Sequence, residues 1–185
     1  MSASVNARTW ILGSATVAAG LIAGFFYAYA CSVMLGLAQL DDRAFIDAMQ
    51  RINATVRNVW FAASFFGALP LTALAAALHL RRDSRPALPW VLAALVGYTA
   101  AFLITMFLSV PLNEELAAAG VPATIGEPGA VRAAYENIWV TWNLVRTIAS
   151  TAALACLVRA LLVHARTTRP IIGGRPSPAS STVTA

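Results

Sequence analysis

An all-α integral membrane bundle of four helices, with an amphipathic surface helix between the first two spans, is the fold this sequence predicts. Three observations predict it. Apolar residues make up 59% of the 185 positions and charged residues only 11%, against roughly one quarter charged in soluble domains. Uncharged runs cover Thr9–Leu40, Asn58–Leu80, Pro86–Asn113 and Asn137–Val145, the last resuming after Arg146 as far as Val158. Each is long enough to cross hydrocarbon at about 20 residues per span. The arginines are also unevenly placed: the N-terminal segment, the 81–85 loop and the tail from Arg159 hold eight against one acid, while the other two loops hold four against seven acids.

That asymmetry orients the chain, because positive charge stays on the cytoplasmic side. The sequence therefore predicts a multi-pass protein of the cell membrane with both termini cytoplasmic. The formal charge of +5 needs no nucleic-acid partner; it favours anionic membrane lipid on the inner face. Residues 1–165 form one four-span domain, with spans at about 10–37, 58–80, 88–110 and 137–163, and residues 166–185, rich in Pro, Ser, Thr and Gly, form a disordered cytoplasmic tail.

The first span follows Arg8, and Ala28-Tyr29-Ala30 has the look of a signal cleavage site. The apolar run far exceeds the 7–15 residues of a signal core, so the helix is expected to be retained. Gly20, Gly24, Ala28, Ser32 and Gly36 recur every four residues along it. Such a ridge admits a second backbone at close range. It is expected to pack inside the bundle, or to form a homo-oligomer face if it points outward.

Between the first two spans, Phe45, Ile46, Met49, Ile52 and Val56 repeat at helical spacing behind Asp42 as a candidate N-cap. This amphipathic helix either lies on the outer surface or caps the bundle mouth. The 111–136 loop reads as a short capped turn followed by a Gly/Pro-rich stretch. Tryptophans open every span: Trp10 and Trp90 on the inner side, Trp60, Trp139 and Trp142 on the outer, where aromatic belts form. Cys31 and Cys156 lie near opposite ends of their helices, too far apart in depth for a disulfide; both are expected as small packing residues.

Arg146 is the one charge inside these runs. A charge near mid-bilayer costs at least about 2.5–3.5 kcal/mol, so such residues face the bundle interior and usually serve a function. Trp139, Trp142, Asn143, Arg146 and Ser150 share one helical face. With Tyr27 and Tyr29 on the first span, Ser64 on the second, Tyr98 and Thr105 on the third, and Asn53, Asn58, Asn113, Glu114 and Asp41 above, they outline an outward-facing polar pocket. A cation there either ties helices together through carbonyls or a carboxylate, or stabilises an anion. His79 and His164 both approach the inner face, beside arginines and without a carboxylate to orient them, so no metal site is expected. No phosphate loop, zinc spacing or Ser/His/Asp set is present.

The sequence resembles the anthrone oxygenase family of small four-helix membrane proteins. The resemblance rests on Gly24-Phe25-Phe26-Tyr27-Ala28-Tyr29 with Val33-Met34-Leu35-Gly36-Leu37, on Ala48-Met49-Gln50-Arg51-Ile52-Asn53, on Pro111-Leu112-Asn113, and on Trp139-x-x-Trp142-Asn143-x-x-Arg146. These follow the family's order; Leu35 stands where the family often has proline, and Asn58-Val59 where it often has Asn-Pro. The resemblance implies oxidation of an anthrone to a quinone by dioxygen, in aromatic polyketide biosynthesis, with no cofactor. It makes Arg146, Asn143 and Trp142 the catalytic group. Tyr27, Asn53, Asn58, Asn113 and Trp139 become substrate-binding residues, with Glu114 or Asp41 as the base if a loop folds inward. The alternative is a non-enzymatic membrane protein whose polar cluster binds a lipid, a small hydrophobic ligand or a partner helix.

Overall fold

The computed structural model describes residues 3–168; the tail expected to be disordered lies outside the described residues from position 169 onward. The helices are α1 (Ala3–Ala28), α2 (Met34–Leu37), α3 (Asp42–Thr55), α4 (Val59–Leu78), α5 (Leu88–Ile104), α6 (Val110–Ala118) and α7 (Pro128–Thr168). A π turn, Tyr29–Val33, joins α1 to α2, and a second, Thr105–Ser109, joins α5 to α6. Among the described residues, four helices are long and apolar enough to cross a membrane: Asn6–Leu37, Val59–Leu78, Arg85–Ala118 and Pro128–Thr167. Three of them outrun the spans expected from hydropathy. What reads as a loop after Pro111 is two more turns of helix, and α7 begins near Pro128 and continues through Thr168, past the expected start of the tail.

Local chemistry sets the starts and stops. Asp41, not Asp42, caps α3, accepting from the Ala44 amide at 3.0 Å. Asn58 caps α4, accepting from the Trp60 and Phe61 amides at 3.0 and 3.1 Å. Each side-chain oxygen satisfies amides that an α-helix leaves without partners. α6 ends at Gly120, whose φ of +87° is open to glycine at no steric cost.

The spans alternate up and down, and α1 packs on α4 and α7 while α5 packs on α7 and α4. The buried stripe of α1 is Leu12, Ala15, Ala19, Ile22 and Phe26, an i, i+3, i+4 pattern. Most of the expected small-residue ridge therefore points the other way: Gly24, Ala28, Ser32 and Gly36 are exposed, and a Cβ on Gly24 or Gly36 meets nothing within 4 Å, while half-buried Gly20 faces Leu154 of α7, 3.5 Å from where its Cβ would lie. The close helix approach is made instead by Gly97 of α5, where a Cβ would lie 3.1 Å from the Ala149 carbonyl and 3.4 Å from the Ala153 methyl of α7. In lipid, such backbone proximity supplies the packing that apolar burial supplies in water.

At the end carrying the α4–α5 loop, buried polar groups clasp three helices. Thr9 Oγ1 lies 3.1 Å from His164 Nε2, His164 Nδ1 lies 3.2 Å from His79 Nε2, and His79 Nδ1 lies 2.7 Å from the Ala75 carbonyl. Both histidines are buried, near the arginines beside which the sequence places them. Beside them, buried Arg8 donates to Asp83 at 2.7 Å, which holds the Asp83 carboxyl below the usual carboxylate range. Cys31 is exposed and Cys156 half-buried, and neither is in a disulfide.

At the other end α3 is a cap seated on the bundle. Phe45, Ile46 and Met49 bury against Leu116, Ile125, Tyr135 and Trp139. Gln50 donates to the Leu116 and Gly120 carbonyls at 2.8 and 3.0 Å, and Arg132 donates to Asp42, Glu136 and the Leu40 carbonyl while its guanidinium lies 4.5 Å over the Phe45 ring.

Replacing Gly97 with Leu is expected to lower the unfolding midpoint in detergent by an amount on the order of 1–3 kcal/mol of overpacking, whereas Gly24→Leu leaves the midpoint near that of the parent. Thermal denaturation followed by far-ultraviolet circular dichroism compares the two directly.

Candidate functional site

Arg146 sits two turns inside the part of α7 that lies beneath the α3 cap, and its side chain leans back toward the helix start, as helical side chains do. It is 5% exposed. Nε and Nη2 both donate to Asn143 Oδ1, at 3.2 and 3.1 Å. The Asn143 amide in turn donates to the Phe26 carbonyl of α1 at 3.2 Å, which fixes the acceptor. The guanidinium lies 4.3 Å from the Phe26 ring centroid and 4.9 Å from that of Trp139.

No carboxylate joins this arrangement: the ion pairs among the described residues are Arg8–Asp83, Arg51–Asp47, Arg57–Glu114, Arg132–Asp42 and Arg132–Glu136. Two aromatic faces are worth about 2 kcal/mol each when desolvated, and a neutral amide adds hydrogen bonds without neutralising the charge. Together these offset much of the cost of burying a cation, several kcal/mol after relaxation. They leave its positive potential in place. The guanidinium thus remains a cation with no carboxylate partner among the described residues.

That cation opens onto a cavity of about 470 Å³ lined by α1, α3, α4, α6, α7 and the two π turns, within the size range of small-molecule sites. Its walls are aromatic. Phe61 and Phe65 stack nearly parallel, at 5.2 Å and 13°, with Phe102 behind Phe65 at 5.0 Å and 14°; Phe25, Phe26, Tyr29 and Trp139 line the rest. The three parallel rings form one aromatic stack, of which Phe61 and Phe65 reach the cavity. Exposed Val59 and Phe66 belong to the rim, so the cavity opens sideways beside α4.

The polar residues at the cap side form one network. Asn113 Oδ1 accepts from Trp139 Nε1 at 2.9 Å and from the Tyr135 hydroxyl at 2.8 Å, and Tyr135 accepts from Asn53 Nδ2 at 3.3 Å. This joins α3, α6 and α7, and it orients the ring on which Arg146 rests.

Of the residues singled out in the sequence, the structure brings Arg146, Trp139, Tyr29, Asn53, Asn58, Thr105 and Asn113 to the cavity wall. Trp139, expected as a belt residue, is only 3% exposed; Trp60 at 83% has the exposure a belt residue requires. Asn143 does not line the cavity; it holds Arg146 from behind. Asn58 reaches the wall but spends its polar atoms on the α4 cap and on the Thr55 carbonyl.

Two of the expected site residues are elsewhere. Tyr27 is 59% exposed and lies on an outer groove with Cys31 and Ile148. Phe26 takes the inward position beside it, since adjacent helical residues point about 100° apart. Trp142 is half-buried, lines neither the cavity nor the network, and makes none of the site's hydrogen bonds. The proposed bases fail as well: Asp41 is the α3 cap and Glu114 pairs with Arg57 at the exposed rim.

Sequence reasoning missed Phe26, Tyr135 and Ser109. Tyr135 lies four residues before Trp139, so extending the α7 face by one turn would have found it; Phe26 carries no signal distinguishing it from Phe25.

A four-span helical bundle with a capped, aromatic, cation-bearing cavity is thus the class that fold and site define. The sequence pattern of the anthrone oxygenases matches residues 57–156, and the chain belongs to that family. The matched segment holds Ser109, Asn113, Trp139, Asn143 and Arg146, while Phe26, Tyr29 and the α3 cap precede it. No protein of curated function and no solved structure matches the chain.

Asn113→Leu leaves Trp139 Nε1 and the Tyr135 hydroxyl without their shared acceptor, and is expected to cost about 1–3 kcal/mol of stability. A detergent unfolding midpoint equal to that of the parent would show that the network does not hold the cap to the bundle.

Proposed function

We propose that this protein oxidises an anthrone-like aromatic polyketide to the corresponding quinone with dioxygen, without a cofactor. The observation that supports it most is the buried Arg146, stacked on two rings, paired with no carboxylate, and open to a cavity walled by aromatic rings. The anthrone skeleton is planar, and its doubly benzylic C–H is acidic because the resulting charge moves onto the ketone oxygen. A fixed cation beside that oxygen stabilises the anion and the transition state leading to it.

The chemistry then follows from the substrate. The anthranolate carbon gives electrons to dioxygen, a C–O bond forms, and the peroxide takes up a proton. Loss of the remaining carbon-bound hydrogen as a proton, with cleavage of the O–O bond, leaves a carbonyl and one water. One oxygen atom ends in the quinone and the other in that water. Dioxygen and a hydrophobic substrate both partition into lipid, and the sideways opening beside α4 gives them a route to the cavity. On this reading Arg146 is the catalytic group, Asn143 a positioning residue, and Tyr29, Trp139, Asn53 and Asn113 the walls and edge of the slot. On this reading the protein lies in the cell membrane with both termini cytoplasmic, an orientation that the arginine asymmetry supports.

One observation favours a second reading. No carboxylate lines the cavity, so the same space would also serve a non-enzymatic protein that binds a hydrophobic anion. The two differ in turnover. Aerobic incubation of the purified protein with an anthrone panel, following quinone absorbance, separates them: binding without quinone formation overturns the oxygenase.

For the oxygenase, Arg146→Gln is expected to lose about a hundredfold or more in rate. Arg146→Lys is also expected to lose activity, because it keeps the charge but not the planar fork that bonds Asn143 while facing the cavity. Turnover of both folded variants at the parental rate would make Arg146 a structural tie.

With no carboxylate base in the cavity, the substrate proton passes to solvent, and the rate is expected to rise with pH until the bound substrate is fully ionised. Since a cation favours the anionic form, the midpoint of that rise should lie below the free substrate's own pKa, and Arg146→Gln should move it upward. A steady-state pH profile for each protein measures the shift; a bell-shaped curve with an acid limb in the carboxylate range would instead reveal a protein base.

A further inference from the structure

We propose that the Ser109 hydroxyl contacts the substrate, donating a hydrogen bond to an uncharged oxygen of the planar aromatic ligand while Arg146 faces the oxygen that becomes anionic. The inference deepens the function proposed above and rests on it.

Ser109 is 1% exposed, it lines the cavity, and its Oγ is the one buried side-chain polar atom without a protein partner among the described residues. The contrast with its neighbours is chemical. Thr72, Thr105, Thr147 and Ser150, the other buried serine and threonine residues described in the spans, each donate to the carbonyl four residues back, at 2.7, 2.8, 2.6 and 2.7 Å. That bond is the usual resort of a helical hydroxyl in an apolar surrounding. Ser109 does not make it.

The reason is the backbone. Ser109 closes the π turn Thr105–Ser109, where the Thr105 carbonyl accepts from the Val110 amide, five residues on. The wider turn displaces the carbonyl that Ser109 would otherwise reach. Pro111 accounts for the π turn's position: proline has no amide to give the Phe107 carbonyl, and its ring crowds that carbonyl, so the helix widens just before it. π turns of this kind recur at functional sites. Here the turn delivers a buried donor that the fold itself leaves unused, a state that persists only where something else takes the bond.

Its location fits a second anchor. Asn113 follows Ser109 by one turn on the same helix, and Asn113 holds the Trp139 indole on which the Arg146 guanidinium rests. Ser109 thus belongs to the same wall as the cation, but it carries no charge. A neutral donor and a permanent cation suit a ligand with oxygens of two kinds: one that takes up charge during reaction and one that stays a ring hydroxyl or carbonyl.

The test uses Ser109→Ala and Ser109→Thr in the full-length protein, with 1,8-dihydroxyanthraquinone as a non-reacting binding probe and 1,8-dihydroxyanthrone for turnover. Ser109→Ala is expected to raise Kd and KM about five- to tenfold, the worth of one neutral hydrogen bond, with a smaller change in kcat. Its ligand-free unfolding midpoint should equal or exceed that of the parent, because a structural hydroxyl would lower it. Ser109→Thr, which keeps the donor, should stay within about twofold of the parent in Kd. The proposal is overturned if Ser109→Ala binds and turns over like the parent, or if Ser109→Thr loses binding equally, since cavity shape would then be the cause. If the parent itself neither binds nor oxidises these compounds, the oxygenase reading fails and takes this one with it.

Discussion

The burial of one guanidinium constrains most of what surrounds it. Arg146 cannot neutralise itself, so the chain must supply groups that tolerate its charge at a depth where water cannot. It does so from two helices: Phe26 of α1 from one side, Trp139 and Asn143 of its own helix α7 from the other. Each of those groups is held in turn. Asn143 is tied to the Phe26 carbonyl, and Trp139 to Asn113. Asn113 also receives Tyr135, and Tyr135 receives Asn53 of the α3 cap. The cap, the third span and the first span are thereby referenced to one charge. A carboxylate partner would have released all of them from that duty and abolished the potential the cavity uses.

The two π turns are the second device. Both lie in the half of the bundle beneath the cap, and both contribute to the cavity, Tyr29 from one and Thr105, Met106 and Ser109 from the other. A regular helix turns its side chains by a fixed increment, so a stripe that packs the core below continues to pack it above. A five-residue hydrogen-bonded turn breaks that phase. Below the turn, α5 presents Val91, Ala94, Tyr98 and Ala101 to its neighbours; beyond it, Ser109 is turned into the cavity wall. The cavity exists where the phase changes.

Stability and site are kept at different ends. Gly97 and the buried alanines of α5 and α7 draw two backbones together in the lower half, and the Thr9–His164–His79 chain and the Arg8–Asp83 pair close the end carrying the α4–α5 loop. The upper half is looser in composition, built from large rings around open space. That division lets the chain carry a sizeable cavity without dissolving the bundle, because the close helix contacts do not pass through it.

The sequence by itself determined the four spans, the amphipathic α3, the family, and Arg146 with Asn113, Trp139 and Asn53 as residues of interest. Length, hydropathy and the cost of a charge in lipid act locally and leave a signature in one dimension. Which face of each helix turns inward was legible only in part. The small-residue ridge of α1 is a strong pattern, yet most of it faces outward, because helix packing is decided by all neighbours together and Gly97 met the same need on another helix. Tyr27 stands one position from Phe26, and that single step around a helix separates surface from cavity; Trp142 stands one position from Asn143, and the same step separates a half-buried ring from the amide that holds Arg146. Ser109 was invisible for a deeper reason: its role depends on a backbone bond that skips from four residues to five. No composition records such a shift; only the folded helix, with Pro111 crowding the turn before it, decides that this hydroxyl is left without a protein partner in a residue of the cavity wall.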